Sequence, residues 1–291
     1  MTQETGAEAE REGDPETETR KRVVLVTGTS SGIGRATAEA FLEENWAVVA
    51  TARDPADIAA LGDAGCRTRE LDVTDGERVA ALVTETIEDY GAIDCIVNNA
   101  GYGQKGPLED ISVPDLHRQF DVNVYGPHRL VRAAVPHMRA QESGRIVNVS
   151  SIQGLLSVPG TGAYAASKYA LEAMSDTLRG ELEAFGIDVV LVEPGPVDTA
   201  FNERASTALP TERTPAYEDL YRLHEDSRYL GGVSPIASSP ETVAAAIVHA
   251  ATCTDPEPRY PVGPVAEYGR FARFLPDRVR DLGYRLVRRV L

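Results

Sequence analysis

Short runs of β-branched and other apolar residues recur along the chain, and after each run apolar residues return every third or fourth position. The runs predict strands at 22–27, 46–52, 66–71, 93–98, 144–150, 187–193 and 259–262. The amphipathic stretches between them predict helices at 32–44, 75–90, 114–140, 164–185 and 240–252. "RIVNVS" and "IDVVLV" are apolar with little alternation, as strands covered on both faces are. Strand–helix alternation at this spacing builds a parallel sheet through right-handed crossovers. The expected fold is α/β: a doubly wound, Rossmann-like parallel sheet in a single domain. Ligands of such folds lie beyond the carboxyl ends of the strands, so residues that follow a strand directly are the candidates for chemistry.

Composition narrows this picture. A chain of 291 residues with 42% hydrophobic and 25% charged content can bury one full core, and residues 21–265 read as that domain. Cys66, Cys95 and Cys253 lie far apart without a CxxC pair or a histidine neighbour, which speaks against disulfides and zinc and predicts a reducing, cytoplasmic setting. No metal is expected: His117, His128, His137 and His249 fall singly in predicted helices and His224 in the variable stretch. No apolar run reaches membrane-spanning length, and residues 1–20, with seven acids and two bases, read as a disordered acidic tail rather than a signal peptide.

Residues 266–291 reverse the charge, with three acids and seven arginines, and leave residues 21–265 at a net −15. That surface repels phosphate backbones, so nucleic acid is not an expected partner. The acid-rich, lysine-poor composition is similar to that of salt-adapted proteins. Phe271, Phe274, Leu275, Val279, Leu282, Leu286 and Val290 recur at helical spacing and make 266–291 a basic amphipathic helix interrupted at Pro276. Packing on the chain's own acidic body or on a second subunit is expected ahead of contact with a membrane surface.

The first strand end reads "LVTGTSSGIGRATAEAF", with Gly28, Gly32 and Gly34 opening a helix. Glycines let backbone approach a pyrophosphate, and the helix's free amides and dipole attract it. The spacing, GxxxGxG, departs from the GxGxxG fingerprint. At the end of the second strand, where an acid would pair with the ribose hydroxyls of NAD, stands Ala52 followed by Arg53. An arginine there suits the 2′-phosphate of NADP, so NADP(H) is the expected cofactor ahead of NAD(H). Further on, Tyr164 and Lys168 stand four apart, one turn of a helix. Lys168 is one of only three lysines, with Lys21 and Lys105, in a chain that otherwise uses arginine.

"TGTSSGIG", "LDVTD", "NNAG" at 98–101, "NVYG" at Asn123, "NVSS" ending at Ser151, the Tyr164-x-x-x-Lys168 pair and "EPGPVDT" at 193–199 occur in one order along 22–200. Together they resemble the short-chain dehydrogenase/reductase family. The resemblance implies an NAD(P)-dependent oxidoreductase acting on a carbonyl or alcohol. It implies that Gly28, Ser30, Ser31, Gly32, Ile33 and Gly34 hold the cofactor phosphates and that Asp72 and Val73 meet the adenine. Asn99, Ala100 and Gly101 would flank the nicotinamide-side ribose, and Val197 and Thr199 the carboxamide. Asn123, Ser151, Tyr164 and Lys168 would form the catalytic group, and the thirteen-residue separation from the tyrosine selects Ser151 over Ser150. A homodimer or homotetramer through the long helices is also implied.

An ordinary tyrosine titrates near pH ~10. A positive charge about 4 Å away at an effective dielectric of roughly 20 is worth about 4 kcal/mol, so Lys168 is expected to lower the Tyr164 pKa and make it a general acid. A compact ammonium on a flexible stem also joins a proton relay that a guanidinium cannot. Asn123 is expected to hold a water linking Lys168 to solvent. The opposing reading makes Tyr164 part of the apolar stripe of Leu171, Met174, Leu178 and Leu182. Residues 200–238 read as a substrate-covering insertion in which Tyr217, Leu220, Tyr221 and Leu223 form either an apolar face over substrate or ordinary packing. "EPGPVDTAF" is similar to hydroxysteroid and retinol dehydrogenases, which favours a bulky apolar substrate. A non-catalytic dinucleotide sensor or scaffold of the same fold is the alternative function.

Overall fold

The computed structural model describes residues 20–199, 201, 209–225 and 236–290. Residues 1–19 of the acidic tail lie outside them, and its last residue, Arg20, pairs with Asp94. One sheet of seven parallel strands carries the fold: β1 Val23–Thr27, β2 Ala47–Ala52, β3 Arg67–Glu70, β4 Cys95–Asn98, β5 Gly144–Val149, β6 Ile187–Pro194 and β7 Arg259–Val262, in the order β3-β2-β1-β4-β5-β6-β7. The ten α-helices of the described residues are α1 Gly32–Glu43, α2 Ala59–Asp63, α3 Gly76–Tyr90, α4 Val113–Phe120, α5 Gly126–Ala140, α6 Gly162–Leu182, α7 Glu218–Glu225, α8 Pro240–Thr252, α9 Pro264–Gly269 and α10 Asp277–Val290.

Alternate strand residues face opposite helix layers. Val24, Val26, Val48, Ala50, Val97 and Val192 pack with Phe41 of α1 and Val243 and Ile247 of α8, whereas Leu25, Val49, Ile96, Ile146 and Val189 pack with Leu82 of α3, Leu130 and Met138 of α5 and Leu182 of α6. Both faces are covered, which explains why these strands read as unbroken apolar runs. Strand order reverses between β1 and β4, so the segments after those strands diverge and leave a crevice at the carboxyl edge.

The helix expected at 114–140 is divided. A π-helical turn, Asp121–Tyr125, separates α4 from α5. Pro127 stands at the start of α5 and has no N–H to give to the carbonyl of Asn123 four residues back, so an unbroken α-helical ladder cannot form there. In the segment 266–291, Ala266 is buried with Ile152 and Leu155, whereas Phe271, Phe274, Leu275, Val279 and Leu282 are 46–75% exposed.

A buried polar chain ties the site's helix to the sheet. Asn98 Nδ2 of β4 donates to Asn148 Oδ1 of β5 at 2.7 Å, Asn148 Nδ2 donates to Ser175 Oγ of α6 at 2.8 Å, and Ser175 Oγ donates to Leu171 O at 2.7 Å. Asn148→Ala would leave Asn98 Nδ2 buried without its acceptor and Ser175 Oγ with only its bond to Leu171 O. Urea unfolding should show a loss of about 1–3 kcal/mol.

Candidate active site

The glycine turn after β1 is built so tightly that side chains are excluded. Gly28 has φ +72, and a Cβ there would lie 2.8 Å from Ala100 Cα; at Gly34 it would lie 2.2 Å from Gly28 O and 2.4 Å from Asn99 Nδ2. Asn99 explains the closeness, because its Nδ2 donates to Thr27 O at 2.8 Å and Gly28 O at 3.0 Å. Thr27 Oγ1 accepts from the amides of Asn99 and Ala100 at 3.1 and 3.0 Å. Sequence reading did not single out Thr27, whose hydroxyl the strand pattern hides. The ends of β1 and β4 are thus one unit, and Gly32 brings in the end of β6: a Cβ there would lie 3.0 Å from Thr199 Cγ2.

Ser31 is the extended residue before α1, and Ser30, Ser31 and Ile33 are partly open at the helix's amide end. The first turn of α1 contains no acid. A backbone cradle emptied of Cβ atoms at a positive helix end fits a dinucleotide pyrophosphate. Val197 is buried and pairs with Ser238, and Thr199 Oγ1 accepts from Phe201 N at 3.3 Å. Arg53 and Asp72 stand apart from this cluster, exposed beyond β2 and β3, which are joined there by Leu71 N donating to Ala52 O at 2.8 Å. The Asp72 carboxylate accepts from Thr74 N and Thr74 Oγ1 at 2.9 and 2.8 Å, and Val73 is buried against Gly126.

Ser151, Tyr164 and Lys168 are brought together. Ser151 follows β5, where its Oγ accepts from Gln153 N at 3.1 Å and hydrogen-bonds the Tyr164 phenol. Lys168 is 5% exposed, donates to Val149 O at 2.8 Å, and has its Nζ 5.8 Å from the Tyr164 ring centroid. Tyr164 is partly buried and faces Phe201 with 5.7 Å between ring centroids. The apolar stripe is carried by Leu171 and Leu182, and the tyrosine points into the site instead.

Two expectations change here. Burial pushes the Tyr164 phenol up to about 12, with the Ser151 hydrogen bond working against that rise, so in this structure Lys168 does not lower it. The ammonium is aimed at a carbonyl rather than at the phenol oxygen, and burial lowers Lys168 itself to about 8. Asn123, 1% exposed, uses both amide hydrogens on Tyr102 O at 3.0 Å and Ser167 Oγ at 3.1 Å, while its Oδ1 accepts from Tyr102 N at 3.1 Å. Both of its amide hydrogens are therefore in use, and Pro127 has no N–H to offer the Asn123 main-chain carbonyl.

The insertion is latched by hydrogen bonds. Tyr221, 1% exposed, donates to Asp110 Oδ2 at 2.5 Å, Thr214 Oγ1 donates to Asp110 Oδ1 at 2.6 Å, and Tyr217 donates to Glu109 at 2.8 Å. Tyr217 and Tyr221 thus serve packing rather than an apolar face over substrate; Leu220 is partly buried, and the Leu223 side chain lies outside the described residues.

With this geometry in place, comparison with known proteins decides the family. Residues 22–209 match the sequence pattern of the family described as short chain dehydrogenase. The chain is a short-chain dehydrogenase. It is 38% identical over 263 residues to the oxidoreductase YbbO of Escherichia coli strain K12, covering 90% of this chain and 93% of that one. It is 37% identical over 253 residues to human retinol dehydrogenase 8, covering 81% and 79%, and 35% identical over 258 residues to human 17-beta-hydroxysteroid dehydrogenase type 1, covering 82% and 77%. A short-chain dehydrogenase crystal structure from Streptomyces avermitilis superposes with a TM-score of 0.78 at 36% identity, covering 94% of this chain and 98% of that one. A metagenomic short-chain oxidoreductase in complex with NADP gives 0.66 at 28% identity, covering 82% and 96%. A relative from Burkholderia phymatum in complex with NAD gives 0.67 at 31%, covering 80% and 86%. This short-chain dehydrogenase is an NAD(P)-dependent oxidoreductase acting on CH–OH or C=O groups.

The cradle makes a direct prediction. Gly34→Ala should weaken NADPH binding at least tenfold, about 1.4 kcal/mol, in an equilibrium fluorescence titration. Gly180→Ala, where a Cβ meets nothing within 4 Å, should leave it unchanged.

Proposed function

We propose that this short-chain dehydrogenase reduces a carbonyl, or oxidises the corresponding alcohol, with Tyr164 as general acid or base and NADP(H) as preferred dinucleotide. The observation that carries the reading is the meeting of Ser151, Tyr164 and Lys168 at the carboxyl ends of β5 and α6's first turns, beside the glycine cradle. When bound, the dinucleotide supplies or accepts the hydride. Ser151 Oγ and Tyr164 Oη hold the substrate oxygen, and Tyr164 gives it the proton in reduction. Lys168 holds positive charge beside the phenol, and the main-chain carbonyl of Asn123 is the acceptor for a water that returns the proton. A sensor or scaffold has no need of a serine aimed at a buried tyrosine, which favours the enzyme over the non-catalytic alternative.

Arg53 supports NADP(H). The acid beside it, Asp54, is turned away to accept from Ala56 N at 2.9 Å, which leaves the arginine as the charge at the end of β2. The names of the relatives, a retinol and a 17-beta-hydroxysteroid dehydrogenase, favour a bulky apolar substrate. Residues 21–265 are proposed as the catalytic domain, acting on a small molecule in the cytoplasm, as a homodimer or homotetramer.

A carbonyl and alcohol panel with both dinucleotides tests this. Tyr164→Phe should lower turnover by about 100-fold or more while NADPH still binds; retained turnover overturns the assignment. Arg53→Ala should weaken NADPH about tenfold and NADH hardly at all, and equal losses overturn the NADP(H) preference. Because Lys168 titrates near 8 and Tyr164 near 12, the lysine loses its proton first as pH rises. Carbonyl reduction should therefore fall on the alkaline side with an apparent pKa near 8, read from kcat/KM against pH.

A further inference from the structure

Beneath Lys168 lies a cluster of charge that the chemistry above does not use. Lys168, Glu172 and Asp176 occupy successive turns of one face of α6. Glu172 is 5% exposed and Glu193, on β6, is 1% exposed. Arg259 of β7 joins them: its Nη1 donates to Glu172 Oε2 and, at 2.9 Å, to Glu193 Oε1, and its Nη2 donates to both oxygens of Asp176 at 2.6 Å. On its other side the Glu172 carboxylate is pressed against the loop that carries Ser151. A Cβ on Gly154 would meet Glu172 Cγ and Ser150 Oγ, both at 2.9 Å; burial pushes the Glu172 carboxyl up to about 7, with the Ser150 hydroxyl and Arg259 working against that rise, so the carboxylate is ionised where Lys168 titrates. One acid is thereby fixed between the lysine and serine ends of the site.

We propose that Glu172 is a positioning residue: its carboxylate, clamped by Arg259, holds Lys168 in the charged form beside Tyr164. The proposal rests on the assignment of Lys168 above. An ammonium at 5% exposure with one carbonyl at 2.8 Å has lost most of its water, and the charge that opposes this loss is Glu172, one turn away. Lys168 faces Val149 O and Tyr164; Glu172 faces Ser150, Glu193, Arg259 and the more distant Tyr169; Arg270 and Arg273 face Glu193 from the segment after β7. Arg259 is shared among three acids, so it does not neutralise Glu172 alone, and above about pH 7 the Glu172 carboxylate is set against Lys168.

The chain has only three lysines, so ¹³C-methylene labelling of lysine gives a spectrum simple enough to titrate each one without substrate or dinucleotide. In Glu172→Gln, Lys168 should titrate lower by about one unit or more, whereas Lys21 and Lys105 should not move. Asp176→Asn, two turns away and exposed, should leave Lys168 within a few tenths of a unit. An unmoved Lys168 in Glu172→Gln overturns the proposal. If that variant does not fold, Glu172→Asp decides: withdrawing the charge by one methylene should shift Lys168 the same way by less, and no shift overturns the proposal. The alkaline limb of kcat/KM should move with the resonance. A moved resonance with an unmoved limb leaves the Glu172–Lys168 coupling standing and refutes the role given to Lys168, and activity surviving in Tyr164→Phe refutes the reading of the site alone.

Discussion

Burying the Lys168 ammonium removes it from water, and what replaces the water fixes much of the arrangement around it. The Val149 carbonyl at the end of β5 accepts one hydrogen at 2.8 Å, so the lysine is tied to the strand that also delivers Ser151. Lys168 and Tyr164 share one face of α6, and the same tie therefore sets the tyrosine beside the serine. The Asn98–Asn148–Ser175 chain holds α6 against β4 and β5 two turns beyond Lys168. Lys168 is bonded to the sheet, and Ser151 and Tyr164 are bonded to each other.

A second unit, formed by Thr27, Gly28, Asn99 and Ala100, closes the ends of β1 and β4 against each other. It forms at the point where the strand order reverses, so the crevice and the excluded Cβ atoms coincide. The two units meet where Gly101 approaches Asn123, at 3.2 Å from a built Cβ to Oδ1. The glycine cradle and the Ser151–Tyr164–Lys168 group are thus supplied by neighbouring strand ends, while the edge strand β7 contributes Arg259 beneath them.

All seven strands were legible in the sequence: the central ones because strands covered on both faces leave an apolar run, and the edge strands β3, RTRE, and β7, RYPV, from their place in the strand–helix alternation. The glycine turn and the Tyr164–Lys168 pair were legible from spacing, since turns and helix faces are local geometry, whereas Ser151 came only from the family resemblance. The division at Asp121–Tyr125 was missed although Pro127 announced it, because apolar periodicity continues smoothly across a π turn. Glu172, Glu193 and Arg259 were missed for a different reason: they lie up to 87 residues apart and read singly as surface charges. The fourfold spacing from Lys168 to Glu172 was present, but only the sheet reveals that both are buried. The Tyr164 pKa was misjudged because a pairwise charge effect was counted without the desolvation that outweighs it.

The central claim is that Tyr164 and Lys168 face a bound nicotinamide together, and a crystal structure with NADP(H) tests it most directly. Tyr164 Oη and Lys168 Nζ should both lie within hydrogen-bond reach of the nicotinamide-side ribose, with the nicotinamide ring against Ser151. A dinucleotide seated on the glycine cradle with its nicotinamide directed away from Tyr164 would contradict the account.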